Sequence, residues 1–315
     1  MVPVVLCSQP ILAMKRISFF PLFFCLGIIT EPATAQSLVA PGAEIAKLAD
    51  GFGFTEGPTA NSKGDVYFVD DPNCKIHAWS VSEKKCSVFV PDSAHANGMY
   101  FDKNDHLFVC EGGTGSVVRY TPDGKRTVIA NKFGNRSFNK PNDLWIDPKG
   151  GIYFTDPVYG EPTFQRVQDG EHVYYIFPDR SKIIRVIEVS GNDGDFKKPN
   201  GIVGTPDGKY LYVADINGKM VYRYNIQPDG TLAEKHPFAP VAVDGMTIDE
   251  RGNIYLTDMG KSDVVIYSPE GKELERIKTP EHPANVCFGG KDFKTLFITA
   301  SRGFYSIEMN VKGAK

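Results

Sequence analysis

Six polar residues recur in one local setting along the chain: Glu56 in TEGP, Asn97 in ANGM, Asn142 in PNDL, Asn200 in PNGI, Asp244 in VDGM and Asn285 in PANV. Each is followed 14 or 15 residues later by the last residue of a β-rich pentapeptide. Two carboxylates and four amides gathered at one point would offer hard oxygen donors without sulfur or clustered imidazole. Such a set suits Ca²⁺ or Mg²⁺, with Mn²⁺ as a third choice. Two converging carboxylates also repel each other unless a cation neutralises them. Asn and Asp favour turns for local reasons, and Pro-Asn-Gly is an ordinary turn sequence. Glu56 is not a turn residue, and the repeated offset favours a metal site over six unrelated turns.

The pentapeptides are VYFVD (66–70), LFVCE (107–111), IYFTD (152–156), LYVAD (211–215), IYLTD (254–258) and LFITA (296–300). Aligned on the fifth residue they give Asp70, Glu111, Asp156, Asp215, Asp258 and Ala300, spaced by 41, 45, 59, 43 and 42 residues. Aromatic and β-branched residues fill each run, and Asp-x-x-Gly, Pro-Asp-Gly or Arg-Gly-Asn turns precede most of them. A period in the forties with several short strands per unit predicts propeller blades, and no long amphipathic helical pattern competes. The expectation is an all-β chain: one six-bladed β-propeller over residues 36–315. In a propeller the innermost strand of each blade lines the central channel. A residue at its start faces the axis, and the chain returns to the same face on the second strand about 14 residues later. All six polar residues are therefore expected at one mouth of the channel.

The stretches FTEGP, FNKPNDLWIDPKGGIYFTDPVYG, KPNGIVGTPDGKYLYVAD and VDGMTIDERGNIYLTD, in this order, resemble the SMP-30/gluconolactonase/LRE-like propellers from about residue 42 to 310. The resemblance implies a divalent metal held by one Glu, Asn residues and one Asp, roles that fall on Glu56, Asn142, Asn200 and Asp244. It implies calcium as the ion, with Mg²⁺, Mn²⁺ or Zn²⁺ as alternatives, and hydrolysis of a sugar lactone. Relatives hydrolyse organophosphates or other esters, and a non-catalytic ligand-binding propeller is the rival from another class. A metal with open positions polarises the lactone carbonyl, and Asp244 is the expected acceptor of the attacking water's proton. Asn97, Lys140 and Asn142 are expected to contact the substrate. Some members place an arginine near the third Asn; Lys140 offers a point charge there instead of a bidentate fork. Tyr159 follows Asp156 in the longest interval between repeats, where it either shapes the pocket rim or packs a long connection. His95 and Asp143 flank ring positions and admit either a site role or a local hydrogen-bonding one.

Composition narrows the partners. Among 315 residues the formal net charge is −3, so no positive field exists to hold nucleic acid or an anionic membrane. A small-molecule lactone acted on by a monomer or weak oligomer is the expectation. Lys15-Arg16, the apolar stretch 17–29 and Ala33-Thr34-Ala35 read as a secretory signal peptide over residues 1–35, which predicts a secreted or periplasmic product with no membrane anchor after cleavage. Four cysteines remain beyond it. One Cys74–Cys86 bond is conceivable, although successive antiparallel strands put the pair at opposite ends of a hairpin; Cys110 and Cys287 read as core. Asp193 and Asp195 read as a solvated turn, and Asn135-Arg136-Ser137 fits a glycosylation sequon. The absence of G-x-S-x-G, H-E-x-x-H, G-x-G-x-x-G and Walker motifs removes serine-hydrolase, zincin, dinucleotide and kinase readings.

Overall fold

Runs such as IYLTD have no helical period, and their mostly β-branched, aromatic and aliphatic side chains suit a strand buried on both faces. Ile254–Asp258 is buried at all five positions, as are Leu107–Glu111 and Ile152–Asp156. The computed structural model describes residues 1–5, 37–159, 165–189 and 196–314. The proposed leader therefore falls almost wholly outside the described residues, as do Asp193 and Asp195. Ser37–Lys315 is one unit, and its described residues hold six four-stranded sheets plus a short hairpin pairing Lys132–Phe133 with Arg136–Ser137. The fold is the six-bladed β-propeller that the repeat predicts.

In each of the first five blades the four strands follow one another in chain order. The innermost are Thr55–Ala60, Ala96–Phe101, Leu144–Ile146, Pro199–Gly204 and Val243–Ile248. The sixth blade differs. Pro283–Gly289, Thr295–Ala300 and Gly303–Glu308 supply three strands, and Ala46–Asp50 from the start of the propeller adds the outermost, antiparallel to Gly303–Glu308. Main-chain hydrogen bonds thus close the ring, which the repeat alone does not reveal.

Local chemistry explains the connections. Between first and second strands, Asn61, Asp102, Asp147 and Asp249 each use one side-chain oxygen to accept two backbone N–H bonds, as Asp249 does from Arg251 (2.8 Å) and Asn253 (2.9 Å). At the other end of the second strand, the aligned acids are clamps. Asp70 accepts from the amides of Gly53 and Phe54, Asp156 from Asn139 and Lys140, and Asp215 from Lys197 and Lys198, always at the segment entering the same blade's inner strand. Glu111 and Asp258 instead pair with Arg126 and Arg276. The outer strand Glu273–Lys278 exposes Glu273 and Lys278 to solvent at the blade's edge. All four described cysteines are free; Cys74 sits in the turn before Lys75–Ser80 and Cys86 lies opposite Trp79, at the hairpin's other end.

Candidate active site

The ring residues sit at the starts of the inner strands. Thr55 pairs with Asp70, Ala96 with Glu111, Pro199 with Asp215 and Val243 with Asp258. In three of these blades the ladder is then interrupted across the ring residue and its successor, between Ala96 and Met99, Pro199 and Ile202, Val243 and Met246; in the first, Glu56 still pairs with Val69 and the interruption falls on Gly57 and Pro58. A bulge re-aims a side chain that regular pleating would send elsewhere. The residue after the ring position is glycine in all four, and the reason is distance. A Cβ on Gly57 would lie 2.0 Å from the carbonyl oxygen of Asn97; one on Gly201, 2.2 Å from that of Asp244; one on Gly245, 2.0 Å from the Asn285 side chain. Glycine lets neighbouring inner strands converge, and the amide of Gly98 bonds directly to the carbonyl of Asn142 at 2.6 Å.

The outcome is a cavity of about 300 Å³ at the channel mouth. Five ring residues line it: Glu56, Asn97, Asn142, Asn200 and Asp244. Lys140 and Tyr159 line it as well, so every residue assigned to the site from sequence reaches one volume. Asn285, the sixth ring residue, does not. It is buried, its Oδ1 accepts from the Val286 amide at 2.8 Å, and its amide nitrogen donates to the carboxylates of Glu56 and Asp143. Asp143 likewise lies behind the wall, its oxygens taken by the amides of Leu144 (2.9 Å) and Ile202 (3.3 Å).

Three carboxyls thus crowd the axis. Burial, and next the charge of Asp244, raises the Glu56 carboxyl well above its usual range, although Glu56 accepts from the Gly57 amide at 2.9 Å. Burial pushes Asp143 up to about 7 and Asp244 up to about 6, the latter against donated bonds from Asn200. Glu56 is only 3% exposed, whereas Asp244 keeps partial exposure through the cavity. Asn200 also donates from Nδ2 to the Tyr159 hydroxyl at 2.8 Å. With both amide protons directed to Tyr159 and Asp244, its Oδ1 is the atom left for a cation. Lys198 holds the Tyr159 ring from 4.5 Å and pairs with Glu171 at 3.7 Å, so Tyr159 is a built part of the rim. The Lys140 ammonium meets the Tyr159 carbonyl at 3.5 Å.

Sequence reasoning missed part of the wall. Asp71, Gly112, Ile216 and Met259 line the cavity, and each is the residue directly after an aligned acid. Phe54, His95 and Lys140 line it from two residues before the ring position. Both sets were legible as further registers of the repeat. His95, left open between site and surface, does both: it faces the cavity and its Nδ1 bonds Asp71 at 3.2 Å.

Among the described residues no three His, Cys, Asp or Glu side chains converge as a metal-ligating cluster. The charge of the ring comes from two carboxylates and the remaining donors are amides, the composition of a hard-cation site. Burial drives both carboxyls toward neutrality, and the charge of Asp244 adds to it at Glu56; a positive ion between them would favour the charged forms.

Several proteins similar to this chain are lactonases by name, and a diisopropyl-fluorophosphatase of Loligo vulgaris is 27% identical over 80% of this chain and 87% of its own. A gluconolactonase of Zymomonas mobilis is 28% identical, over 84% of this chain and 81% of its own. A pentonolactonase of Haloferax volcanii is 33% identical over 79% and 81%. The solved structure of a gluconolactonase from Xanthomonas campestris superposes with a TM-score of 0.78 at 25% identity, covering 86% of this chain and 91% of that one. The profile of the SMP-30/Gluconolactonase/LRE-like region matches residues 54–302. With its propeller, its ring and that match, the chain belongs to the SMP-30/gluconolactonase/LRE-like family.

Proposed function

We propose that this protein is a lactone hydrolase of the gluconolactonase type, dependent on one divalent cation, calcium first among the candidates. The observation that carries the proposal is the meeting of two carboxylates and three amides of the ring on one cavity, in a chain with several aligned relatives that are named lactonases. Glu56, Asn142, Asn200 and Asp244 would hold the ion, with a combined charge of −2 that matches it. When bound, a divalent ion supplies Lewis-acid polarisation of an ester carbonyl.

The chain's own groups do the rest. Asp244 opens on the cavity and takes the proton of the attacking water. Glu56 is fixed by the Gly57 amide and Asn285 and keeps its orientation through the reaction. Asn97, Asn142 and Lys140 face the substrate's hydroxyls, and Tyr159 covers it from the rim. Phe54, Ile216 and Met259 give the same cavity an apolar side for the carbon face of a sugar ring. A volume of about 300 Å³ stands at the small end of ligand pockets and suits a monosaccharide-sized lactone. The reading of residues 1–35 as a secretory signal supports a reaction outside the cytoplasm, in the periplasm or medium.

A panel of aldonolactones, assayed before and after chelation and again after adding Ca²⁺, Mg²⁺, Mn²⁺ or Zn²⁺, tests the proposal. Loss on chelation and recovery with one of these ions is expected. Undiminished hydrolysis by metal-free protein would overturn the cation requirement, and inactivity on every lactone would overturn the reaction.

A further inference from the structure

His95 and Asp71 come from different blades and are 24 residues apart, yet they form a pair on the cavity wall. The imidazole side chain is 50% exposed and the carboxylate 31%, with Nδ1 and Oδ1 3.2 Å apart. With Nδ1 engaged by the carboxylate, Nε2 is the nitrogen left for the cavity. The backbone beneath is strained: Ala94 and His95 both adopt left-handed conformations, with φ of 50° and 52°. Each such non-glycine residue costs about 1–2 kcal/mol. The strain is held in place by two amides of the next turn, Gly113 donating to the Ala94 carbonyl and Gly112 to the His95 carbonyl, both at 2.9 Å. Gly113 leaves no room for a side chain, since a Cβ there would lie 2.7 Å from the Ala94 oxygen, and one on Gly112 would displace the Lys140 side chain, 2.7 Å away. Strain maintained this way over a pocket marks a position selected for function.

We infer that His95, oriented by Asp71, is a second catalytic residue: the acid that protonates the ring oxygen as the lactone C–O bond breaks. His95 belongs to blade two and Asp244 to blade five, opposite each other in a ring of six. A substrate carbonyl held between them meets a base on one wall and an acid on the other. Water's oxygen bonds to the carbonyl carbon while Asp244 accepts one proton. As the tetrahedral adduct collapses, the electron pair of the ring C–O bond passes to the ring oxygen, which takes the Nε2 proton. The product is the open hydroxy acid, and Asp244 and His95 recover their starting states by proton exchange with solvent. Asp71 is the positioning residue, holding the imidazole by its contact to Nδ1. The other ionisable groups of the cavity wall are Glu56, Lys140, Tyr159 and Asp244.

His95 has this role only if the chain opens lactones, so kcat and KM for an aldonolactone are measured across pH on wild-type, His95→Gln and Asp71→Asn proteins loaded with the activating ion. Melting temperature and ion affinity by calorimetry are recorded for each. A wild-type profile with an alkaline limb is expected. His95→Gln should lose about 10²-fold or more in kcat, keep KM within about threefold, and lose that limb, a general acid being worth about 10²–10⁴-fold. Asp71→Asn should lower kcat while KM and ion affinity hold, and displace the limb, changes that a merely structural role would not produce. Lactone turnover that survives in His95→Gln, or an alkaline limb that stays put in both variants, overturns this inference and leaves the lactonase reading standing. A loss confined to KM makes His95 a binding residue and overturns it too. Should His95→Gln fail to fold, the Asp71→Asn limb decides alone. Wild-type protein inactive on lactones would overturn both.

Discussion

Gly57→Ala tests the claim that close approach of inner strands builds the ring. Gly57 has φ +49, and a Cβ there would lie 2.0 Å from the Asn97 carbonyl oxygen and 2.8 Å from its carbon. Real contacts of this kind do not fall below 3.0 Å, so the strand carrying Asn97 must retreat by at least about 1 Å. The left-handed conformation costs about 1–2 kcal/mol and overpacking about 1–3 kcal/mol, giving about 2–5 kcal/mol in all. At about 2–4 °C per kcal/mol for a domain of this size class, the melting temperature should fall by about 5–15 °C. Gly134→Ala is the control, because Gly134 has φ +60 and nothing within 4 Å of an added Cβ. It should lose only the conformational part, about 2–6 °C. Calorimetric affinity for the activating ion should drop about tenfold or more in Gly57→Ala, a site of this kind tolerating only about 0.5 Å of error, and stay unchanged in Gly134→Ala. If the two variants melt together and bind the ion equally, strand convergence does not set the ring.

Asp244→Asn keeps shape and one oxygen donor but removes a charge and the proposed base; kcat on a lactone should fall about 10²–10⁴-fold with the far-UV circular dichroism unchanged. Asn285→Ala takes a donor from both Glu56 and Asp143 without touching the cavity, so ion affinity measured by calorimetry should weaken while KM at saturating ion holds. Asp215→Ala strips acceptors from the amides of Lys197, Lys198 and Gly218 and should cost about 2–4 kcal/mol, read from urea unfolding. Burial pushes the Asp156 carboxyl up to about 7, so the folded protein retains a proton that the unfolded chain releases near pH 4. Its contribution to stability therefore falls as pH rises from about 4 to 7. The stability difference between pH 5 and pH 7.5 should shrink by about 2–3 kcal/mol in Asp156→Asn, and an unchanged difference would refute the assignment.

Local sequence determined the blade. Period-two patterning, β-branched second strands and Asp-x-x-Gly turns act over a few residues, and they specify a hairpin wherever they occur. Repeating that unit six times set the fold, and the constant offset of 14 or 15 residues marked six polar positions, because a hairpin returns its chain to the face it left; the family resemblance then singled out Glu56, Asn142, Asn200 and Asp244. Two additional registers, one after each aligned acid and one two residues before each ring position, carried Asp71, Met259, Phe54 and His95 in the same code. What the sequence could not state is how blades meet. Ala46–Asp50 completes the sixth blade although more than 250 residues separate it from Gly303–Glu308, a pairing that only ring closure brings about. The inner-strand bulges and their glycines answer to backbone distances between neighbouring blades, which no single repeat contains. Asn285 shares the motif of its five counterparts but turns to Glu56 and Asp143 behind the wall, and His95 finds Asp71 across a blade boundary. Local pattern chooses which side chains reach the axis; the packing of six blades around it chooses their partners.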